Sequence, residues 1–191
     1  MKPQKRETML RYPVKEHGTF LATRAKGTET RQALEEQLAA APLTLLTIDF
    51  GGVEAMTNSF VDEFLGKFYL LLAAGDIRTD GVRLVGLNEE TRDGVTVCLE
   101  RRKQIAVDGD THELLGDTAV LADTYAKIRR LGDFRAAQLA EELGISLPNA
   151  NNRLKKLVEA GALYRERSSG PDRGGKEYTY RQAQGAAGAT K

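Results

Sequence analysis

Residues 134–180 read FRAAQLAEELGISLPNANNRLKKLVEAGALYRERSSGPDRGGKEYTY. Leu139, Ala140 and Leu143 recur at i, i+1 and i+4, which is one apolar stripe on a short helix. Gly144 stands where a left-handed cap would end that helix. Ile145 plugs the turn, and Ser146 is a good N-cap for a second helix, with Pro148 tolerated in its first turn. Ala150, Leu154, Leu157 and Val158 give the second helix its buried side, and Gly161 closes it. Leu163 to Arg167 and Glu177 to Arg181 then alternate as two strands, joined by the Gly- and Pro-containing loop SSGPDRGGK.

The outward side of the second helix carries the recognition chemistry. At about 100° per residue, the face opposite the apolar stripe holds Pro148, Asn149, Asn152, Lys155 and Lys156. Asn151 and Arg153 lie on its flanks. An Asn amide can bond both N6 and N7 of adenine, an Arg can bond guanine, and Lys neutralises phosphate. The loop between the strands places Arg173 and Lys176 at a tip that can reach phosphate or a minor groove. Ser146, Asn149, Asn151, Asn152, Arg153, Lys155, Lys156, Arg173 and Lys176 are therefore the expected contacts to double-stranded DNA.

These residues carry a resemblance. Residues 118–181 resemble the winged helix-turn-helix domains of bacterial transcriptional regulators, on the run LAEELGIS followed by NRLKKLVEAGAL. One departure is Arg135, where such domains usually place a Ser or Thr cap before the first helix of the motif. A winged helix used only for protein contacts is the competing expectation.

Charge is distributed in keeping with that reading. The chain of 191 residues carries a net charge of only +1, yet its halves differ. Residues 1–117 hold 15 Lys and Arg against 19 Asp and Glu, net −4; residues 118–191 hold 13 against 8, net +5. An acidic partner domain joined to a basic nucleic-acid module gives such an asymmetry.

The first half reads as alternating strands and helices. Residues 1–11 are polar and basic and are expected to be a loose arm. Residues 12–21 suggest one or two short strands broken at Gly18. In ATRAKGTETR, the Lys26-Gly27-Thr28 triplet lacks the upstream glycine of a phosphate loop, so Thr28 is taken to start a helix running to Ala40. Residues 43–50 form an apolar strand. Ser59 and Asp62 carry the S-x-x-D signature of a capping box and open a helix in which Phe60, Phe64, Phe68 and Leu72 stack at i+4 spacing. Gly75 ends it. A strand over 82–87, a helix capped by Asn88 or Thr91 and running to Arg102, and a strand over 105–107 follow. A helix over 118–131, with Val120, Leu121, Tyr125 and Ile128 inward, then opens the second domain. The alternation argues an α/β domain over 12–117 with a central sheet flanked by helices, and residues from 182 onward form a small, polar, disordered tail.

The runs IDFGGVEAMTNSFVDEFLG and VRLVGLNEETRDGV carry a second resemblance. Residues 18–102 resemble the STAS-like domains, relatives of bacterial anti-sigma-factor antagonists. The family's loop reads Asp-Ser-Ser-Gly, and its second Ser is phosphorylated by a partner kinase. The matching run here is Thr57-Asn58-Ser59-Phe60, in which Ser59 alone matches. The resemblance thus implies Ser59 as a phosphoacceptor and a serine-kinase-like or anti-sigma protein as partner, beside the plainer reading of Ser59 as a helix cap.

Other classes find little support. His17 and His112 are far apart and Cys98 is the single cysteine, so no zinc pattern or disulfide is expected, and a reducing cytoplasm suits the chain. The adjacent carboxylates Asp62–Glu63 and Glu89–Glu90 do not face each other on a helix. No catalytic residue, metal or cofactor is expected, and neither is a signal peptide or membrane span, since the longest apolar run, 68–74, is too short. The expectation is a DNA-binding regulator whose STAS-like half senses a signal or binds a protein, with a homodimer reading two half-sites. The alternative is an antagonist-like interaction switch whose winged helix docks or dimerises.

Overall fold

The computed structural model describes residues 8–41, 44–167 and 177–183. Its first half is built on a five-stranded sheet of order β1-β3-β5-β6-β7. The strands are β1 (Thr8–Pro13), β3 (Thr44–Asp49), β5 (Gly81–Val85), β6 (Ile105–Asp108) and β7 (Glu113–Gly116). The first four run parallel and β7 is antiparallel to β6. Stepping in one direction across a parallel sheet by right-handed crossovers puts every connecting helix on the same face. That face carries α1 (Arg24–Ala40), α2 (Asn58–Val61) continuing through a π-turn into α3 (Lys67–Ala74), and α4 (Glu89–Arg101). Leu34 and Leu38 of α1, Phe60, Phe64 and Phe68, and Val95 and Leu99 of α4 close over Tyr12, Leu46, Ile48, Val82 and Leu84 of the sheet.

Several elements start elsewhere than the sequence suggests. Thr8–Arg11 of the expected arm belong to β1, which pairs with β3 at every residue, Leu10 opposite Leu46 and Tyr12 opposite Ile48. Residues 12–21 hold a 3-10 turn, Val14–His17, and a two-residue strand, β2 (Phe20–Leu21), paired with β4 (Ala55–Met56). Helix α1 begins four residues before the expected cap. Thr23, in extended conformation, accepts from the Lys26 amide at 3.1 Å. Thr28 lies inside the helix, and its hydroxyl donates to Glu63 at 3.4 Å. Gly27 is explained by packing: a Cβ there would meet Glu63 Cβ and the Phe60 carbonyl, each at 2.8 Å.

The second helix also has a different cap. Thr57, not Ser59, accepts from the Phe60 amide at 3.3 Å, and its hydroxyl donates to the Ala22 carbonyl at 2.6 Å. Asp62 does not close a capping box, because its carboxylate is taken by Arg102. The π-turn spans Asp62–Gly66. Apolar residues four apart drift by about 40° per step on a 3.6-residue helix, and one wider turn restores the alignment. Phe60, Phe64 and Phe68 are all fully buried as a result. Asn88 caps α4 in a reciprocal capping box with Thr91. Strand β7 is an element absent from the sequence reading.

The second half is a winged helix. It contains α5 (Ala122–Ile128), α6 (Ala136–Leu143), α7 (Leu147–Glu159) and a three-stranded sheet of order β8-β10-β9, with β8 (Phe134–Arg135), β9 (Leu163–Arg167) and β10 (Tyr178–Gln182). Helix α5 is shorter than expected, and Val120, expected inward, is 61% exposed in the turn before it. Leu121, Tyr125 and Ile128 do face inward, with Phe134, Leu139, Leu154, Leu157 and Tyr180. Ile105 and Val107 of β6 belong to this second core. The Val82 amide also donates to the Gly161 carbonyl at 2.9 Å. The winged helix therefore packs on the Ile105 and Val107 side of β6, and the end of its α7 also meets α3. Among the described residues no helix is long and apolar enough to cross a membrane.

Candidate nucleic-acid interface

Helix α6 starts at Arg135 with no side-chain cap and ends at Gly144, left-handed at φ +62°. The Ile145 amide reaches back to the Ala140 carbonyl at 3.0 Å. Ser146 then caps α7, accepting from the Asn149 amide at 3.4 Å. Ala150, Leu154 and Leu157 are fully buried against α6 and the sheet of the wing. This burial fixes which side of α7 remains outward.

Asn149, Asn151, Asn152, Lys155 and Lys156 are all exposed, and the structure splits them into two groups. The three asparagines stand in the first two turns of α7, the part of a recognition helix that approaches base edges. Arg153 is half-buried. Its Nη1 donates to Thr124 Oγ1 at 2.8 Å and its Nε to Asn149 Oδ1 at 3.0 Å. It thus ties α7 to α5 and orients the Asn149 amide so that the NH₂ points away from Arg153. Lys155 pairs with Glu159 at 3.7 Å, one turn on. Lys156 sits near the far end of α7, on the wall of a cavity shared with the first half. Leu147, missed in the sequence reading, is 47% exposed at the first position of α7. An apolar side chain there can contact a thymine methyl; its signal was an apolar residue beside a helix cap.

The root of the wing is ordered by charge and ring contacts. Arg165 stacks over Tyr178 at 4.9 Å. Arg181 pairs with Asp133 at 3.1 Å and Glu166 at 3.5 Å. Phe134 and Tyr180 stack beneath, with ring centroids 5.8 Å apart. Arg173 and Lys176 lie outside the described residues.

A model of the MarR family matches residues 128–174. The match spans α6, the turn, α7 and the first wing strand, well under half of the chain. It identifies a winged helix DNA-binding domain at the C-terminus and does not reach the first half. Comparison with curated proteins and with solved structures gave no match.

Ser59 belongs to the first half, half-buried as the second residue of α2. The carboxylates after it are neutralised. Asp62 receives two bonds from Arg102, at 2.7 and 2.9 Å, which hold its carboxyl below the usual range. Glu63 is lowered by Lys67 at 2.6 Å and by Arg24 at 3.3 Å. Burial, helped by the Asp62 charge, pushes the Cys98 thiol up to about 11, so it stays protonated and unreactive.

Proposed function

We propose that the chain is a DNA-binding transcriptional regulator of the cytoplasm, without enzymatic activity, whose N-terminal half is a STAS-like domain that receives a signal or a protein partner. The observation that carries this reading is the set of exposed asparagines in the first two turns of a capped recognition helix, on a basic winged half. Asn149 and Asn152 read adenine, Lys155 and the wing cations hold phosphates, and a homodimer engages two half-sites. Fluorescence anisotropy with a pool of random duplexes at low salt tests it: binding followed by enrichment of a preferred site is expected. No binding to any duplex at low salt would overturn it. Light scattering of the free and DNA-bound protein tests the dimer, and a monomer in both would remove it.

A second reading draws on the capping of α2. Because Thr57 takes the cap, Ser59 is left without that structural task, as suits a phosphoacceptor for a serine-kinase-like or anti-sigma partner. Protein purified from its host would then lose mass at Ser59 on phosphatase treatment. An unchanged intact mass would end the phosphoacceptor idea and leave the STAS-like assignment standing.

A further inference from the structure

A cavity of about 220 Å³ opens between the two halves, and α7 forms one of its walls. Tyr69 of α3, Ile105 of β6 and Val120 supply apolar surface. Val120 is 61% exposed, a large apolar side chain left in water at the cavity wall. The Tyr69 hydroxyl itself is buried away from solvent, with no hydrogen-bond partner among the described residues.

Charged groups also line it. Lys103, Asp117, Lys156 and Glu159 all line the cavity. Glu159 faces Lys155, but the side chains of Lys103, Asp117 and Lys156 have no partner among the described residues. Lys103 is moreover held left-handed, at φ +53°. It follows the end of α4, where glycine would adopt that conformation without steric cost.

Two cations and one anion without a partner among the described residues, beside a Glu159 already paired with Lys155, select the ligand's chemistry. A simple carboxylate would meet the lysines but be opposed by Asp117. A simple amine would meet Asp117 but be opposed by both lysines. A molecule carrying both groups beside an apolar body satisfies all three. Its size is bounded as well, since a cavity of about 150 Å³ accepts benzene, so this one takes a body like that of a Leu, Met or Phe side chain.

We propose that the cavity binds a small apolar α-amino acid, and that its occupancy changes the affinity of α7 for DNA. The carboxylate is held between Lys103 of the first half and Lys156 of α7, and the ammonium by Asp117. Helix α7 carries Lys156 near one end and Asn149 and Asn152 near the other, so a ligand that draws Lys156 toward Lys103 reorients the base-reading turns. The coupling, though not the binding, rests on the DNA-binding reading above.

The test uses the full chain. Calorimetric titration with L-leucine, L-methionine and L-phenylalanine should show saturable binding of at least one. The same molecules without the amino group, and without the carboxylate, should bind at least tenfold more weakly. Asp117→Asn should weaken binding about tenfold or more, and Ala73→Trp, placed in the cavity wall, should abolish it. Both variants should keep the unliganded DNA affinity. Saturation with the amino acid should change the duplex Kd by about fivefold or more. Binding of none of the three, or binding that Asp117→Asn leaves unchanged, would overturn the site. Equal binding of the deaminated acids would overturn the ligand class. Binding without a change in duplex Kd would overturn the coupling. A chain that binds amino acid but no duplex would fail the regulator reading and uphold the cavity.

Discussion

At the level of single residues, Asn152 is exposed on the second turn of α7, one turn past the cap. If its amide bonds an adenine edge twice, Asn152→Ala costs about 1–3 kcal/mol on the preferred site and relaxes specificity at one base pair. Anisotropy on matched and mutated duplexes checks this; an equal loss on every sequence would make Asn152 a backbone contact. The cap of α2 gives a second expectation. Thr57→Ala removes both the cap bond and the bond to Ala22, and should cost about 0.5–2 kcal/mol in urea unfolding. Ser59→Ala should lie near zero, and a larger loss at Ser59 than at Thr57 would reverse the assignment. Sequence alone could not separate these two hydroxyls, two residues apart. The choice is made by the Ala22 carbonyl, remote in sequence, to which the Thr57 hydroxyl donates. Asp62 adds a pH dependence. Arg102 lowers its folded pKa below the ordinary 3.8, so the stabilisation is complete above that value and is lost as pH falls through the folded pKa. Arg102→Ala should flatten the acid limb of the stability curve, measured by urea midpoints at successive pH values.

Among the elements, the helix-turn-helix was legible because each of its signals is local. Gly144 adopts the left-handed cap that only glycine takes cheaply, Ser146 caps α7, and the buried positions recur at helical spacing. The wing strands follow from their alternation. The sheet edges were not legible, and the reason is burial. Only Tyr12 of β1 is fully buried, with Leu10 half-covered, so its sequence looks like a polar arm. Strand β7 has four residues and begins in exposed Glu113, too short for a period to show. Gly27 looks in sequence like part of a loop, although it is the point at which α1 meets α2 and the π-turn. Gly27→Ala should therefore destabilise by about 1–3 kcal/mol through overpacking, despite the better helix propensity of alanine; a stabilised variant in thermal melts would contradict this. For the wing, Arg173→Ala and Lys176→Ala should each reduce the salt slope of DNA binding by about one unit and weaken all duplexes evenly. An unchanged slope would mean that the tip does not touch DNA.

For the whole molecule, the decisive feature is β6, whose side chains serve two cores. Ala106 faces the helices of the first half, while Ile105 and Val107 pack with Leu121, Tyr125 and Ile128 of the second. A helical wheel of α7 cannot reveal this, nor that Lys156 lines a cavity shared with the first half, because both depend on how the halves are joined. The boundary expected at 117/118 passes just after β7 and separates Ile105 and Val107 from the core they complete. Removing the chain before residue 118 uncovers the surface those two side chains bury. At about 1.5–3 kcal/mol for each fully buried aliphatic side chain, the loss is a large part of the roughly 5–15 kcal/mol that holds a domain folded. Ile105→Ala in the full chain probes the same contact without truncation and should cost about 2–5 kcal/mol. Its location makes the outcome specific. If the sheet and the winged helix share one cooperative core, amides of α5 and α7 lose hydrogen-exchange protection together with those of β6. If the halves are independent, protection falls in β6 and its sheet neighbours alone and DNA binding by the fragment 118–183 is unimpaired. The first outcome is expected, since a winged helix anchored through β6 cannot exchange its core without disturbing the sheet that the cavity and its ligand would also press upon.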